Sequence, residues 1–136
     1  MATSEIAIGE KSRMTKTERL NGVLRSLRTS SPEIIGASVV TSDGFIVASH
    51  IPSEVDEDLI GGMAASLLGV GERIAADLMR AEVEQTYVRS AKGYIIVNAI
   101  GTESVLVLLV TREAKLGMIF LELKRTLNQL VEHLDN

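Results

Sequence analysis

The sequence predicts an α/β domain of the α+β type, with one five-stranded antiparallel sheet sandwiched between helices. Three observations lead to this prediction. Two apolar runs flank the turn Ser42-Asp43-Gly44, three further β-type segments follow one another closely, and amphipathic helical patterns bracket both groups. Short connections between strands favour antiparallel pairing within one sheet. The predicted element order is α-β-β-α-β-β-β-α.

Length and composition indicate a single globular domain. The chain has 136 residues, of which 46% are hydrophobic, so it can bury a substantial core. We expect residues 1–14 to form a flexible N-terminal arm and residues 15–136 to form the domain. The net charge of −4, with scattered basic residues, argues against nucleic acid as a partner. Without cysteine or a secretory signal pattern, the expected location is cytoplasmic, and no apolar run suggests membrane insertion.

The first three elements are a helix and a β-hairpin. From Lys16 to Arg28, apolar residues recur at helical spacing and predict an amphipathic helix that ends at Ser30-Ser31-Pro32. The hairpin runs from Ile34 to Ser49, and its Asp-Gly pair tolerates the positive φ angles of a tight turn.

A long apolar helix is predicted from Val55 to Met79. Pro52 stops the preceding strand and Ser53 is the expected N-cap. Acidic residues occupy the first turn, where their negative charge interacts favourably with the positive end of the helix dipole.

Three strands and a last helix complete the domain. The strands are predicted at Val83 to Ser90, Tyr94 to Ile100 and Ser104 to Thr111, and the helix from about Lys115 to Leu134. The third of these strands is apolar at nearly every position, which predicts a central strand covered on both faces. The first alternates polar and apolar residues, which suits an edge strand.

The long helix is apolar over too wide an arc to be covered by one sheet. A strip of small residues also runs along it, and each interior glycine costs about 1 kcal/mol relative to alanine. We hypothesise that this strip packs against the same helix of a second subunit; the alternative is close packing on its own sheet. The strip consists of Gly61, Gly62, Ala65, Ser66 and Gly69.

Two segments carry a family resemblance. The hairpin from Ile35 to Ala48 (IGASVVTSDGFIVA) and the helix from Met63 to Ala75 (MAASLLGVGERIA) resemble the Roadblock/dynein light chain family, in its bacterial and archaeal branch of MglB-type regulators of Ras-like GTPases. The resemblance covers roughly residues 15–134. It implies a Roadblock-like, profilin/longin-like fold with two helices on one face of the sheet and the long helix on the other.

The resemblance also implies partners. Family members commonly form homodimers through the long helix and the following edge strand, and some bacterial members regulate small Ras-like GTPases. Arg73 or Arg80 is a candidate contact for such a GTPase, but solvated helix charge is the favoured explanation of both residues. Carried onto this chain, the implied dimer interface consists of Gly61, Gly62, Ala65, Ser66, Gly69, Arg73, Gln85, Tyr87 and Arg89.

No catalytic residue, cofactor site or metal site is predicted. The two histidines, His50 and His133, have no evident catalytic partners, and structural roles explain both. The acidic run from Asp56 to Asp58 fits a helix N-terminus better than a cation site. The glycines at 69 and 71 lie inside a helix, unlike those of a dinucleotide-binding loop.

These observations favour a noncatalytic homodimeric adaptor that regulates a small Ras-like GTPase. Two alternatives remain open. One is a structural light chain that joins subunits of a larger complex, and the other is a small-molecule sensor domain, which would need a pocket with a few convergent polar groups.

Overall fold

The computed structural model describes residues 14–134 and contains the predicted elements in the predicted order. The predicted N-terminal arm lies outside this range except for Met14, whose carbonyl oxygen accepts a hydrogen bond from Nη1 of Arg19 at 2.7 Å. The elements are α1 (Lys16–Ser30), β1 (Ile34–Thr41), β2 (Ile46–His50), α2 (Glu57–Met79), β3 (Gln85–Ser90), β4 (Gly93–Ile100), β5 (Ser104–Thr111) and α3 (Leu116–Leu134).

The five strands form one antiparallel sheet in the order β2-β1-β5-β4-β3. The predicted central position of β5 and the predicted edge position of β3 are therefore both confirmed. Val105, Leu106, Val107 and Leu108 of β5 are all buried. Such a continuous apolar run is required because both faces of the central strand are covered by helices.

Two separate apolar cores explain this double coverage. On one face, α1 and α3 pack on the sheet through side chains such as Leu24 and Leu123, which meet Leu106 and Leu108. On the other face, α2 packs alone through a smaller core. That smaller core contains Ile60, Ala64, Leu68, Val97, Val105 and Val107. The predicted placement of two helices on one face and the long helix on the other is confirmed.

The β1–β2 hairpin turns at the predicted glycine. Gly44 adopts φ 98°, a conformation that favours glycine, and the backbone N–H of Thr41 donates to the carbonyl of Phe45 at 2.7 Å. A β-bulge follows, because Val39 pairs with Ala48 whereas Val40 pairs with Ile46. The extra residue turns Ile46 toward α2 while Ala48 faces the opposite core.

The predicted start of the long helix was wrong by two residues. Its N-cap is Asp56, not Ser53, and Oδ1 of Asp56 accepts a hydrogen bond from the backbone N–H of Asp58 at 3.0 Å. The N–H of Val55 instead donates to the carbonyl of Pro52 in a turn. Val55 is thus held outside the helix, where its side chain packs against the α2 core.

The predicted start of β3 at Val83 was also wrong, because the chain first has to leave α2. Arg80 caps α2 in the left-handed conformation (φ 50°, ψ 45°), and the N–H of Ala81 reaches back to the carbonyl of Ala75. Val83 then packs beside Gly71, and pairing starts at Gln85. The other boundaries agree with prediction or differ from it by at most two residues, within the usual uncertainty of element ends.

Helix α2 is long and apolar enough to cross a membrane by length and composition alone, with a mean hydropathy of 1.3 over 18 residues. The core helix of a globular domain can pass the same test. Here α2 packs on the sheet through Ile60, Ala64 and Leu68. Its high hydropathy nevertheless has a consequence, because many of its other apolar side chains remain in solvent.

Candidate functional site

Two glycines allow α2 to approach the sheet closely. A Cβ built on Gly61 would overlap the carbonyl oxygen of Gly44, so helix and hairpin turn meet backbone to backbone. A Cβ built on Gly71 would lie 2.5 Å from Cγ2 of Thr86 on β3. The helix therefore reaches from the β1–β2 turn to the start of β3, and the backbone contact at Gly61 requires glycine.

One flank of α2 is apolar and exposed. Five side chains along this flank, which we call the apolar stripe, are between 54 and 75% exposed. Their spacing of four or seven residues places them on one side of the helix. The apolar stripe consists of Leu59, Met63, Val70, Ile74 and Leu78.

A groove of about 390 Å³ lies between the first turns of α2 and the sheet. The stripe residues Leu59 and Met63 form one wall, and the exposed Val88 of β3 belongs to the opposite wall. The remaining lining is almost entirely apolar, and its one charged residue is the capping Asp56. The other lining residues are Val55, Ile60, Ala64, Leu67, Ile95, Val97, Val107 and Leu109.

The strip of small residues lies away from this groove, and its members differ in environment. Gly61 is buried against the hairpin turn, which is the close packing on its own sheet considered as the alternative. A Cβ built on Gly62 or Gly69 would meet nothing within 4 Å. Gly62 and three further predicted interface residues, Ala65, Ser66 and Arg73, retain exposed surface.

The two edges of the sheet differ. At β2, the backbone N–H of Ser49 donates to Oδ1 of Asn21 on α1 at 3.1 Å, so a side chain already occupies part of this edge. Within residues 14–134, β3 pairs only with β4, and the four residues Tyr87 to Ser90 are exposed. Since an open edge readily pairs with another strand, β3 is the available edge of the sheet.

The predicted edge-strand residues face away from α2. Thr86 and Val88 point to the α2 side, where they contact Gly71 and line the groove. Because side chains alternate along a strand, Gln85, Tyr87 and Arg89 point to the opposite side. Nε2 of Gln85 donates to Oδ1 of Asn98 at 2.9 Å, whereas Tyr87 and Arg89 are exposed.

Neither histidine belongs to a catalytic arrangement within residues 14–134. His133 lies in the last turn of α3, as predicted for a structural residue. His50 ends β2, and its Nδ1 lies 2.8 Å from Nη1 of Arg28 on α1. Partial burial and the charges of Arg28 and Arg25 lower the pKa of His50 below 6.5. The same range contains no group of three or more His, Cys, Asp or Glu residues that could hold a metal ion.

A family model of the Roadblock/LC7 domain matches residues 20–110, which contain α2, strands β1 to β4 and all of β5 except its last residue. The chain belongs to the Roadblock/LC7 domain family. Among curated proteins, the uncharacterized protein MJ0310 of Methanocaldococcus jannaschii is 35% identical over 97 residues. The match covers 71% of this chain and 84% of that protein.

Solved Roadblock structures share the fold. MglB of Myxococcus xanthus superposes with a TM-score of 0.83 at 17% identity, over 90% of this chain and 92% of that one. A Roadblock/LC7 domain from Streptomyces avermitilis gives a TM-score of 0.80 at 19% identity, over 85% of this chain and 98% of the other. The predicted family and fold class are thereby confirmed.

Proposed function

We propose that this Roadblock protein is a noncatalytic homodimeric adaptor that regulates a small Ras-like GTPase. The observation that carries the proposal is the apolar stripe of α2 on the same face of the sheet as an apolar groove that extends to the open edge at β3. Large contiguous apolar patches of this kind mark protein interaction sites. A surface of this composition is suited to binding another protein and carries no groups for chemistry.

A second copy of the chain is the occupant that we infer for this surface. In a two-fold dimer the same patch serves both partners, so an apolar stripe can pack against its own copy. The β3 edge can pair with itself in the same arrangement, because antiparallel pairing is compatible with two-fold symmetry. The two features lie side by side, so one interface can cover both. Its centre then lies at Met63 and Ile74 of the apolar stripe, and Gly62 and Gly69 lie outside it.

The GTPase partner is inferred from the family and from the similarity to MglB, since the sequence resembles the branch that contains regulators of Ras-like GTPases. An adaptor of this kind acts by preferring one nucleotide state of its partner, and its own residues need not take part in hydrolysis. The expected setting is the cytoplasm.

The groove gives less support to a small-molecule sensor. A typical ligand pocket combines apolar walls with several convergent polar groups. Here the one charged lining residue, Asp56, already caps α2. A light-chain scaffold would use the same dimer as a regulator. The two functions differ in whether binding of the partner depends on the nucleotide.

The test is capture of partners from a lysate of the source cells on immobilised protein, with GDP or a nonhydrolysable GTP analogue present. The proposal predicts that mass spectrometry identifies a small GTPase enriched only with the GTP analogue. Capture of a larger subunit with either nucleotide would favour the scaffold function over the regulator function. Recovery of no GTPase in either condition would contradict the proposal.

A further inference from the structure

Three cationic or ionisable side chains converge where the end of α1 meets the end of β2, on the face of the sheet opposite α2. Nη1 of Arg28 donates to Nδ1 of His50 at 2.8 Å. Arg25 lies three residues before Arg28, and this spacing makes the two side chains neighbours on the helix surface. Arg25 is also close enough to His50 for its charge to influence the imidazole. We call Arg25, Arg28 and His50 the cationic cluster.

Within residues 14–134, the charge of the cationic cluster is not balanced. Among residues 14–134, no carboxylate lies within ion-pair distance of Arg25 or Arg28. Nε of Arg28 is buried and has no hydrogen-bond partner in the same part of the chain. A cation in the last turn of α1 suits the helix dipole, which accounts for one arginine at this position. The dipole does not account for a second arginine, a histidine and an unused buried donor at the same place.

The hydrogen bond defines which groups remain available to a ligand. Since Nδ1 of His50 accepts from Arg28, the neutral ring carries its proton on Nε2, which leaves Nε2–H as a donor. The two guanidinium groups supply further N–H donors and two positive charges. A single carboxylate would balance one of those charges, whereas a phosphate-type dianion would balance both. Arginine also binds such oxyanions through two parallel hydrogen bonds.

We propose that Arg25, Arg28 and His50 form a binding site for a dianionic oxyanion of the phosphate type. The site lies on the face of the sheet opposite the apolar stripe. A bound dianion would occupy the donors of Arg25 and Arg28 and would favour the protonated form of His50.

The test follows the His50 imidazole by NMR in sulfate and in chloride at equal ionic strength. Sulfate serves as the probe because it stays a dianion throughout the titration. Saturating sulfate is expected to raise the pKa of His50 by about one unit, as an opposite charge at close range does. The signals of His133 serve as the internal reference for general salt effects. A sulfate effect of equal size on the NMR signals of His50 and His133 would overturn the proposal, because it would be a general salt effect.

Matched variants assign the effect to the cluster. Arg25→Gln is expected to reduce the sulfate-dependent shift, and the double variant Arg25→Gln/Arg28→Gln to abolish it. Arg25 is exposed, so the single variant keeps the test valid if the double variant fails to fold. Arg125→Gln, which removes an arginine that is 70% exposed on α3, should retain the full shift. An unchanged shift in Arg25→Gln would contradict the assignment.

A final comparison identifies the source of the oxyanion. At pH 8 the phosphate group of O-phosphoserine, with a second pKa near 6, is a dianion, and inorganic phosphate is predominantly the dianion. Perturbation of the His50 signals by both would support a site that accepts a phosphate monoester. Perturbation by inorganic phosphate alone would support a site for the free anion. Perturbation by neither would overturn the proposal.

Discussion

The backbone contact between α2 and the hairpin turn makes a sharp prediction for Gly61→Ala. A new Cβ would overlap the carbonyl oxygen of Gly44, and the obstacle is backbone, which cannot rotate away as a side chain could. Overpacking of this kind costs about 1–3 kcal/mol. Alanine in a helix interior raises the free energy of unfolding by about 1 kcal/mol relative to glycine. With the upper overpacking value, Gly61→Ala should lower the free energy of unfolding by about 2 kcal/mol.

Two other glycines of the same helix provide matched controls. Gly62→Ala and Gly69→Ala would place the new Cβ in open space, so only the helix propensity changes. Each should raise the free energy of unfolding by up to about 1 kcal/mol. The difference between Gly61→Ala and Gly62→Ala is therefore about 3 kcal/mol.

The assay is urea unfolding at one fixed protein concentration, because the proposed dimerisation would make apparent stability depend on concentration. Circular dichroism follows the loss of helix, and the three variants are compared by their unfolding midpoints and slopes. If Gly61→Ala were as stable as Gly62→Ala, the close approach of α2 to the hairpin turn would be refuted. Our explanation of why glycine is required at this position would then also be wrong.

Three further predictions concern caps and pH. Asp56→Ala should lower the free energy of unfolding by about 1 kcal/mol in urea unfolding. Ser53→Ala should change it by a few tenths of a kcal/mol at most. Equal effects of the two variants would contradict the observed N-cap. Arg80→Gly should raise the unfolding midpoint by relieving about 1 kcal/mol of left-handed backbone strain, and a lower midpoint would contradict this. The folded pKa of His50 lies below the unfolded value of 6.5, so the unfolded state binds more protons than the folded state as the pH falls through 6.5. The free energy of unfolding should therefore fall as the pH is lowered through 6.5. His50→Gln should remove part of this decrease in pH-dependent unfolding.

Local sequence signals predicted the elements and much of their arrangement. The continuous apolar run of β5 placed it at the centre, and the alternation in β3 placed it at the edge. Both inferences succeeded because burial on one or two faces directly restricts which side chains a strand can carry.

Features that depend on distant contacts were not predictable in this way. Ser53 and Asp56 are both good cap residues, and the choice between them depends on Val55 packing into the α2 core. Which glycine is buried depends on the Gly44 turn, which lies far from Gly61 in sequence. The same holds for Arg28 and His50, which come together across 22 residues without any periodic signal.

The apolar stripe has one feature that the sequence predicted and one that it did not. The sequence predicted an apolar arc too wide for one sheet, and the exposed side chains of α2 agree with it. The direction of the exposed part could not be predicted, because it depends on where α2 crosses the sheet. The crossing is fixed by Gly61 and Gly71, whose close contacts orient the helix and leave the stripe beside the groove.

The measurement that tests the central claim most directly is the solution mass by light scattering after size-exclusion chromatography. The wild-type chain should give twice its 14.7 kDa mass. Met63→Glu with Ile74→Glu should give the monomer mass, because two carboxylates would be buried in the proposed interface. Gly62→Leu should remain dimeric, since it adds bulk outside the stripe. A monomeric wild type, or dissociation by Gly62→Leu but not by the double glutamate variant, would contradict the account.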